Sequence, residues 1–273
     1  MLLENKVAVI YGGGGAIGGA VARAFAAAGA QVHLAGRTRA KLEKVAADIG
    51  DAEVAVLDAF DERAVADHVG AVTAEAGGID IALNAVSFPF VHVTPAADEI
   101  ADIMRPIEFF VRTNLITAKA VGKHMTERGT GTILTLSSGA SQLVQPGSLG
   151  YGTSCAAVES LSHRLAVELG PSGVRVVCLR PHAMADGPAQ GSSTGELFRR
   201  RAAKAGVDVD QWLEHWAQDV TLLGRLPTVA QVADAAVFLA SDRAAAITGT
   251  VVDITCGNAV RRTPGWDLIG LPS

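Results

Sequence analysis

The chain has 273 residues, of which 49% are hydrophobic and 19% charged, so it can bury a large core. Its formal net charge of −5 argues against a nucleic-acid-binding surface. No apolar run approaches the roughly 18 residues of a membrane span, and the first six residues do not resemble a signal peptide. The three cysteines lack metal-ligand spacing, which predicts no metal site and a reducing, cytoplasmic location.

Strand and helix patterns alternate along the whole chain. Continuous apolar strands between amphipathic helices are typical of a parallel sheet covered on both faces. The sequence therefore predicts an α/β fold, a Rossmann-like doubly wound sheet of seven parallel strands, in a single domain over 1–273. Strands are expected at 7–10, 31–35, 53–57, 79–83, 132–136, 174–179 and 251–254. The principal helices are expected at 17–28, 38–49, 61–76, 107–127, 150–170 and 229–240.

The segment 182–224 interrupts this alternation. It begins rich in glycine, proline and serine and then turns helical. An insertion at the carboxyl edge of the sheet predicts a lid over a ligand crevice. Trp212 and Trp216 are four residues apart, so they either contact substrate or form the buried face of a lid helix or subunit contact. The basic run 199–201 is interpreted as a solvated helix face.

A glycine-rich turn joins the first strand to the first helix. Gly12 allows the tight turn, whereas Gly14 and Gly15 let backbone amides approach a pyrophosphate. Gly18 lets the helix pack closely, and the helix N-terminus favours the phosphate charge. The turn predicts a dinucleotide site that also includes Ile17, and the alternative is a tight turn without a ligand.

The end of the second strand indicates which dinucleotide is bound. A carboxylate there would bond the ribose 2′-hydroxyl, but the chain has Gly36 followed by Arg37. A guanidinium can pair with a 2′-phosphate, so NADP(H) is favoured over NAD(H). The alternative is that Arg37 only caps or pairs on the surface. Asp58 is expected beside the adenine, and Asn84 and Ala85 along its ribose.

With these residues and others in the same order, the chain resembles the short-chain dehydrogenase/reductase family over about 4–258. The resemblance implies that Tyr151 is the general acid/base, that Ser138 bonds the substrate oxygen and that Asn114 holds a relay water. It implies a small-molecule substrate and cofactor contacts from Tyr151 and Pro181. It also implies a homodimer or homotetramer, paired through the helices at 107–127 and 150–170. The matching positions are Gly12, Gly14, Gly18, Asp58, Asn84, Ala85, Asn114, Ser137, Ser138, Tyr151, Arg180, Pro181 and 247–249.

The chain departs from the family pattern four residues after Tyr151. The family has a lysine there that lowers the tyrosine pKa, and this chain has Cys155. Cys155 is interpreted as a small filling residue, with a reactive thiol as the alternative. His182 is either a replacement acid/base or a loop residue that only packs.

Two functions follow from the sequence. The first is an NADP(H)-dependent oxidoreductase that interconverts a ketone and a secondary alcohol at an atypical, slow site. The alternative is a dinucleotide-binding protein of the same fold without hydride transfer, acting as a sensor, a structural protein or a non-redox lyase or cyclase.

Overall fold

The computed structural model describes residues 1–89 and 93–258. The strands are β1 Val7–Tyr11, β2 Gln31–Gly36, β3 Ala52–Val56, β4 Ile81–Asn84, β5 Gly131–Leu136, β6 Val174–Pro181 and β7 Thr250–Ile254. The helices are α1 Ala16–Ala27, α2 Arg39–Ile49, α3 Glu62–Ala76, α4 Ile100–Arg128, α5 Leu149–Leu169, α6 Gly195–Ala205, α7 Val209–Val220 and α8 Val229–Ala240.

The seven strands form one parallel sheet in the order β3-β2-β1-β4-β5-β6-β7. Successive strands are added outward from β1 in one direction as far as β3, and the order then reverses at β4. Ligand crevices of doubly wound sheets form at such a reversal, outside the carboxyl ends of the strands. The predicted fold class and single domain are confirmed, although 259–273 lie outside the described residues.

Apolar clusters cover both faces of the sheet. One cluster packs α1 and α8 against the sheet and includes Phe25, Leu34 and Val232. The other packs α3, α4 and α5 against the opposite face and includes Val69 and Met125. Each fully buried large aliphatic or aromatic side chain contributes about 1.5–3 kcal/mol, which explains why the β1 residues are all buried. No helix in 1–89 and 93–258 combines the length and the apolar character of a membrane span.

Helix α4 begins at Ile100, seven residues before the predicted start at position 107. Proline removes a helical hydrogen bond, so it is unusual inside a helix. In the structure Pro106 lies inside the helix and is buried. A Cβ atom at Gly150 of α5 would lie 2.9 Å from its Cγ atom, so α4 and α5 pack closely there. Tertiary packing therefore outweighs the local cost of the proline.

Candidate active site

Two connected cavities open at the carboxyl edge of the sheet. The larger has a volume of about 360 Å³, and the smaller about 150 Å³. The larger extends under α6 and α7, and the smaller lies over β2 and β3. An elongated ligand could therefore occupy both. The residues common to the two cavities are Gly15, Lys41, Ala85, Val86 and Ser87.

The glycine turn forms the floor between the cavities. Gly12 has a φ of +80°, and a Cβ atom there would lie 2.5 Å from the carbonyl oxygen of Ala85. Gly18 packs against the carbonyl group of Gly12, so α1 sits directly on the turn. No side chain caps α1, which leaves its N-terminal amides available to an anion. Gly15 and Ile17 line the larger cavity. These features fit a dinucleotide pyrophosphate.

The smaller cavity has a basic rim. Gly36 lines it, together with Gly14, Arg37 and Asp58, three of the residues that the sequence predicts to bind the cofactor. Arg37 is exposed and forms no ion pair with another residue of the described chain. Its guanidinium is therefore available to a phosphate.

Lys41 is a second cation at this rim, and sequence reasoning missed it. It is exposed and lines both cavities. A Cβ atom at Gly14 would lie 2.8 Å from the Lys41 Cβ atom, which places Lys41 beside the glycine turn. Its position four residues after Arg37, at the start of α2, was the available sequence signal.

Asn84 does not line either cavity, in contrast to the expectation that it lies along the adenine ribose. Its Nδ2 atom donates to Thr117 Oγ1 at 3.0 Å, and its Oδ1 atom accepts from the Val86 amide at 3.2 Å. Asn84 is thus a buried support that fixes the β4 terminus against α4. Ala85, the next residue, does line both cavities.

Ser138 and Tyr151 line the larger cavity together. The Ser138 side chain acts on the Tyr151 hydroxyl group, because it opposes the rise in the pKa of that hydroxyl. The Tyr151 ring packs edge-on against Phe110 of α4, with centroids 6.0 Å apart. Asn114 lies one turn further along α4, where its Nδ2 atom donates to the Phe110 carbonyl oxygen at 2.9 Å. The structure therefore brings the first two predicted catalytic side chains to the cavity and places the third behind Phe110.

Cys155 lies beside Tyr151, at the position where the family resemblance led us to expect a lysine. It is buried, lines the same cavity and adds to the rise in the pKa of the tyrosine hydroxyl. Burial raises the pKa of the thiol to about 12. Burial also raises the pKa of Tyr151 well above its usual range, and Cys155 adds to that shift, whereas the Ser138 hydrogen bond opposes it. Both groups are therefore uncharged at neutral pH.

A cluster of charges lies one turn beyond Cys155. Arg180 is almost fully buried and binds Glu159 through two hydrogen bonds of 2.8 Å. Its Nη1 atom also donates to both carboxylate oxygens of Asp253 at 3.0 Å. Burial alone would raise the pKa of Glu159, but hydrogen bonds from Arg180 and Ser137 outweigh burial and hold this pKa below its usual range. The Arg180 cation is therefore neutralised by its own partners.

His182 lines the larger cavity and packs on Trp216 of α7, with ring centroids 5.0 Å apart. Burial lowers the pKa of His182 to about 4, so the ring is neutral at physiological pH. Pro181 lines the cavity beside it. Trp216 also lines the cavity, and Trp212 stacks on it at 5.3 Å between centroids. In the described residues no group of three histidine, cysteine or carboxylate side chains could hold a metal ion.

Comparison with known proteins decides the family. A family model described as enoyl-(acyl carrier protein) reductase matches residues 14–258, most of the chain. The chain belongs to the short-chain dehydrogenase/reductase family. Galactitol 2-dehydrogenase (L-tagatose-forming) of Cereibacter sphaeroides is 30% identical over 261 residues, which cover 94% of this chain and 96% of that protein. L-xylulose reductase of Bos taurus is 29% identical over 260 residues, covering 93% and 97%.

Solved structures show the same relationship. NAD⁺-bound xylitol dehydrogenase superposes with a TM-score of 0.84 at 25% identity, covering 94% of this chain and all of that one. Membership in the short-chain dehydrogenase/reductase family makes the chain an oxidoreductase-family protein that binds a nicotinamide dinucleotide. The paired cavities and the glycine turn are the places where such a cofactor fits.

Proposed function

We propose that this protein reduces a ketone to a secondary alcohol with NADPH. The observation that carries the proposal is the pair of Ser138 and Tyr151 side chains, which line one cavity continuous with the dinucleotide cleft. The bound nicotinamide would supply hydride at this cavity. Ser138 would donate a hydrogen bond to the carbonyl oxygen, and Tyr151 would donate the proton that the oxygen gains.

The protonation state of the Tyr151 hydroxyl favours ketone reduction over alcohol oxidation. Ketone reduction needs the protonated phenol as an acid, whereas alcohol oxidation needs the phenolate as a base. The buried hydroxyl has Cys155 as its neighbour in place of a lysine, and its pKa is raised. Tyr151 therefore stays protonated throughout the physiological pH range. The same environment poorly stabilises the phenolate that remains on Tyr151 after the proton has been transferred. This explains the slow turnover that we expect.

The test of this proposal is NADPH consumption, followed by absorbance, with a panel of aliphatic and aromatic ketones. We expect turnover of at least one ketone, abolished by Ser138→Ala. Absence of turnover with every ketone, combined with tight NADPH binding, would favour the second candidate, a dinucleotide-binding protein without hydride transfer. The specific observation behind that candidate is the uncharged Tyr151–Cys155 pair.

The cofactor preference rests on Arg37 and Lys41. Because Arg37 has no ion-pair partner in the described chain and Gly36 offers no carboxylate, NADPH should bind more tightly than NADH. Arg37→Ala should remove most of this preference, about 10-fold or more, since a hydrogen bond to a charged group contributes about 1.5–3 kcal/mol. Titration by tryptophan fluorescence measures both affinities.

The matched control for this prediction is Arg39→Ala. Arg39 is also exposed but pairs with Glu43 at 3.5 Å and lines neither cavity. It should leave both affinities unchanged. Equal affinity of the parent protein for NADPH and NADH would contradict the preference itself.

We propose that the protein forms a homodimer or homotetramer through α4 and α5. The small residues Ala118 and Gly122 of α4 are buried inside the protomer. The same helices expose apolar side chains, Leu115 at 43% and Val167 at 74%. Such residues are suited to a closed two-fold contact.

Val167→Glu should therefore shift the mass in light scattering toward the 28.0 kDa of one chain. Val144→Glu is the control, because Val144 is an exposed valine outside both helices. A parent protein that is monomeric over a wide concentration range would contradict this assembly.

The segment 182–224 is proposed as the substrate lid. It contains α6 and α7, whose residues Leu197, Phe198 and Trp216 line the larger cavity.

All three cysteines are free, which supports the proposed cytoplasmic location.

A further inference from the structure

The charged side chains that line the larger cavity are all basic. Its charged lining residues, within the described chain, are Lys41 and Arg201, and none is acidic. The whole chain has 28 acidic residues against 23 Lys and Arg, so this basic lining is not a reflection of composition. Lys41 lies beside the glycine turn, where the proposed cofactor would have its phosphates. Arg201 is then the cation available to a substrate.

Arg201 differs from the two arginines that precede it. Arg199 and Arg200 are exposed and both bind Glu196, at 3.4 and 3.1 Å. Arg201 is half-buried and has no ion-pair partner in the described residues. Its guanidinium carbon lies over the Trp212 ring, 6.0 Å from the ring centre, in a cation–π contact. The expected solvated face is thus correct for the first two arginines and wrong for the third.

One face of α6 turns toward the cavity. Thr194, Leu197 and Arg201 line it, together with Phe198, at spacings of three, four and seven residues. Leu197, Phe198 and Trp216 give the wall close to Arg201 an apolar part, whereas Thr194 adds a hydroxyl group. Ser138 and Tyr151 lie in the same cavity. This arrangement suits a ligand with a carbonyl at one end, an apolar body and an anion at the other.

We infer that Arg201 is a specificity-determining residue that selects ketones carrying a carboxylate or similar anion at a distance from the carbonyl. This inference rests on the proposed ketone reduction. A planar guanidinium binds a carboxylate through two parallel hydrogen bonds, and a partly desolvated site strengthens them. We expect about a 10- to 100-fold preference for the anionic ketone over its neutral ester.

The experiment compares 3-benzoylpropanoate with its methyl ester as substrates for NADPH oxidation. The parent protein should show the higher kcat/KM with the acid, mainly through KM. Arg201→Gln should remove this preference while leaving turnover of the ester within about twofold. Arg201→Lys should restore part of it. Arg200→Gln, one residue away on the same helix, should leave kcat/KM unchanged for both substrates.

Two outcomes overturn the inference. One is a parent protein that uses acid and ester equally well. The other is an Arg201→Gln variant that loses both activities in parallel, which would indicate a structural role in the lid.

A binding measurement separates this inference from the proposed function. The NADPH complex is titrated with the non-reactive ligands 4-phenylbutanoate and 4-phenylbutanamide, followed by tryptophan fluorescence. Tighter binding of the carboxylate that disappears in Arg201→Gln supports the anion site even if no ketone is reduced. Equal binding of both ligands to the parent protein overturns it.

Discussion

Replacement of Tyr151 by phenylalanine is expected to lower ketone reduction by at least about 100-fold, the usual contribution of a positioned general acid. The phenol supplies the proton, and Tyr151 is the only tyrosine among the described residues that line this cavity. The loss should fall on kcat, because the ring that packs against Phe110 is retained.

NADPH affinity and the urea midpoint serve as controls for this variant, and both should stay close to those of the parent protein. Retained activity in Tyr151→Phe would transfer the role of proton donor to another group, with His182 as the first candidate. His182→Ala would then be the damaging change, and the pH profile would follow the lowered histidine pKa of about 4.

Replacement of Cys155 by lysine is expected to raise the reduction rate by about 10- to 1000-fold. An adjacent cation lowers a tyrosine pKa by about 1–3 units, and each unit corresponds to about 1.36 kcal/mol. Cys155 lies one helical turn after Tyr151 and borders the cavity, so the longer side chain has space to extend. Turnover of NADPH with one accepted ketone at neutral pH measures the gain.

The effect of the lysine should also be visible in the pH dependence of the reduction rate. Tyr151 acts as an acid, so activity is lost as pH rises through its folded-state pKa. Burial raises that pKa in the parent protein, and tyrosine deprotonation should therefore cause no fall in rate below about pH 10. In Cys155→Lys the fall should begin at a lower pH because the cation favours the phenolate.

Cys155→Met is the control for side-chain length without charge, and it should give no gain. The double variant with Tyr151→Phe should also show none, since the lysine acts through the hydroxyl. A gain that persists in the double variant would mean that the lysine works through another group.

The fold could be predicted because largely apolar strands alternate with amphipathic helices along the chain. The main boundary error is at the start of α4, where Pro106 lies inside the helix and packs against Gly150 of α5. That contact joins residues 44 positions apart, and no local pattern contains it.

Site residues could be predicted where the backbone conformation requires a particular residue type. They were harder to predict where their position depends on the orientation of a helix. Gly12 must be glycine because of its positive φ and the closeness of Ala85, and the sequence alone indicated this. The orientation of Arg201, by contrast, depends on how α6 rotates over the cavity. Ala85 lines both cavities and Asn84 lines neither, because consecutive strand residues point in opposite directions.

The Arg180 cluster bears on how position 155 would receive a cation. Two carboxylates, Glu159 and Asp253, share one guanidinium, so the three groups together carry one negative charge. The field of Glu159 reaches the Cys155 thiol, because it contributes to the rise in that thiol's pKa. A lysine at 155 would thus find a counter-ion already fixed in place by the scaffold. The chain provides the electrostatic setting of an ammonium group at a position where its own sequence has only a thiol.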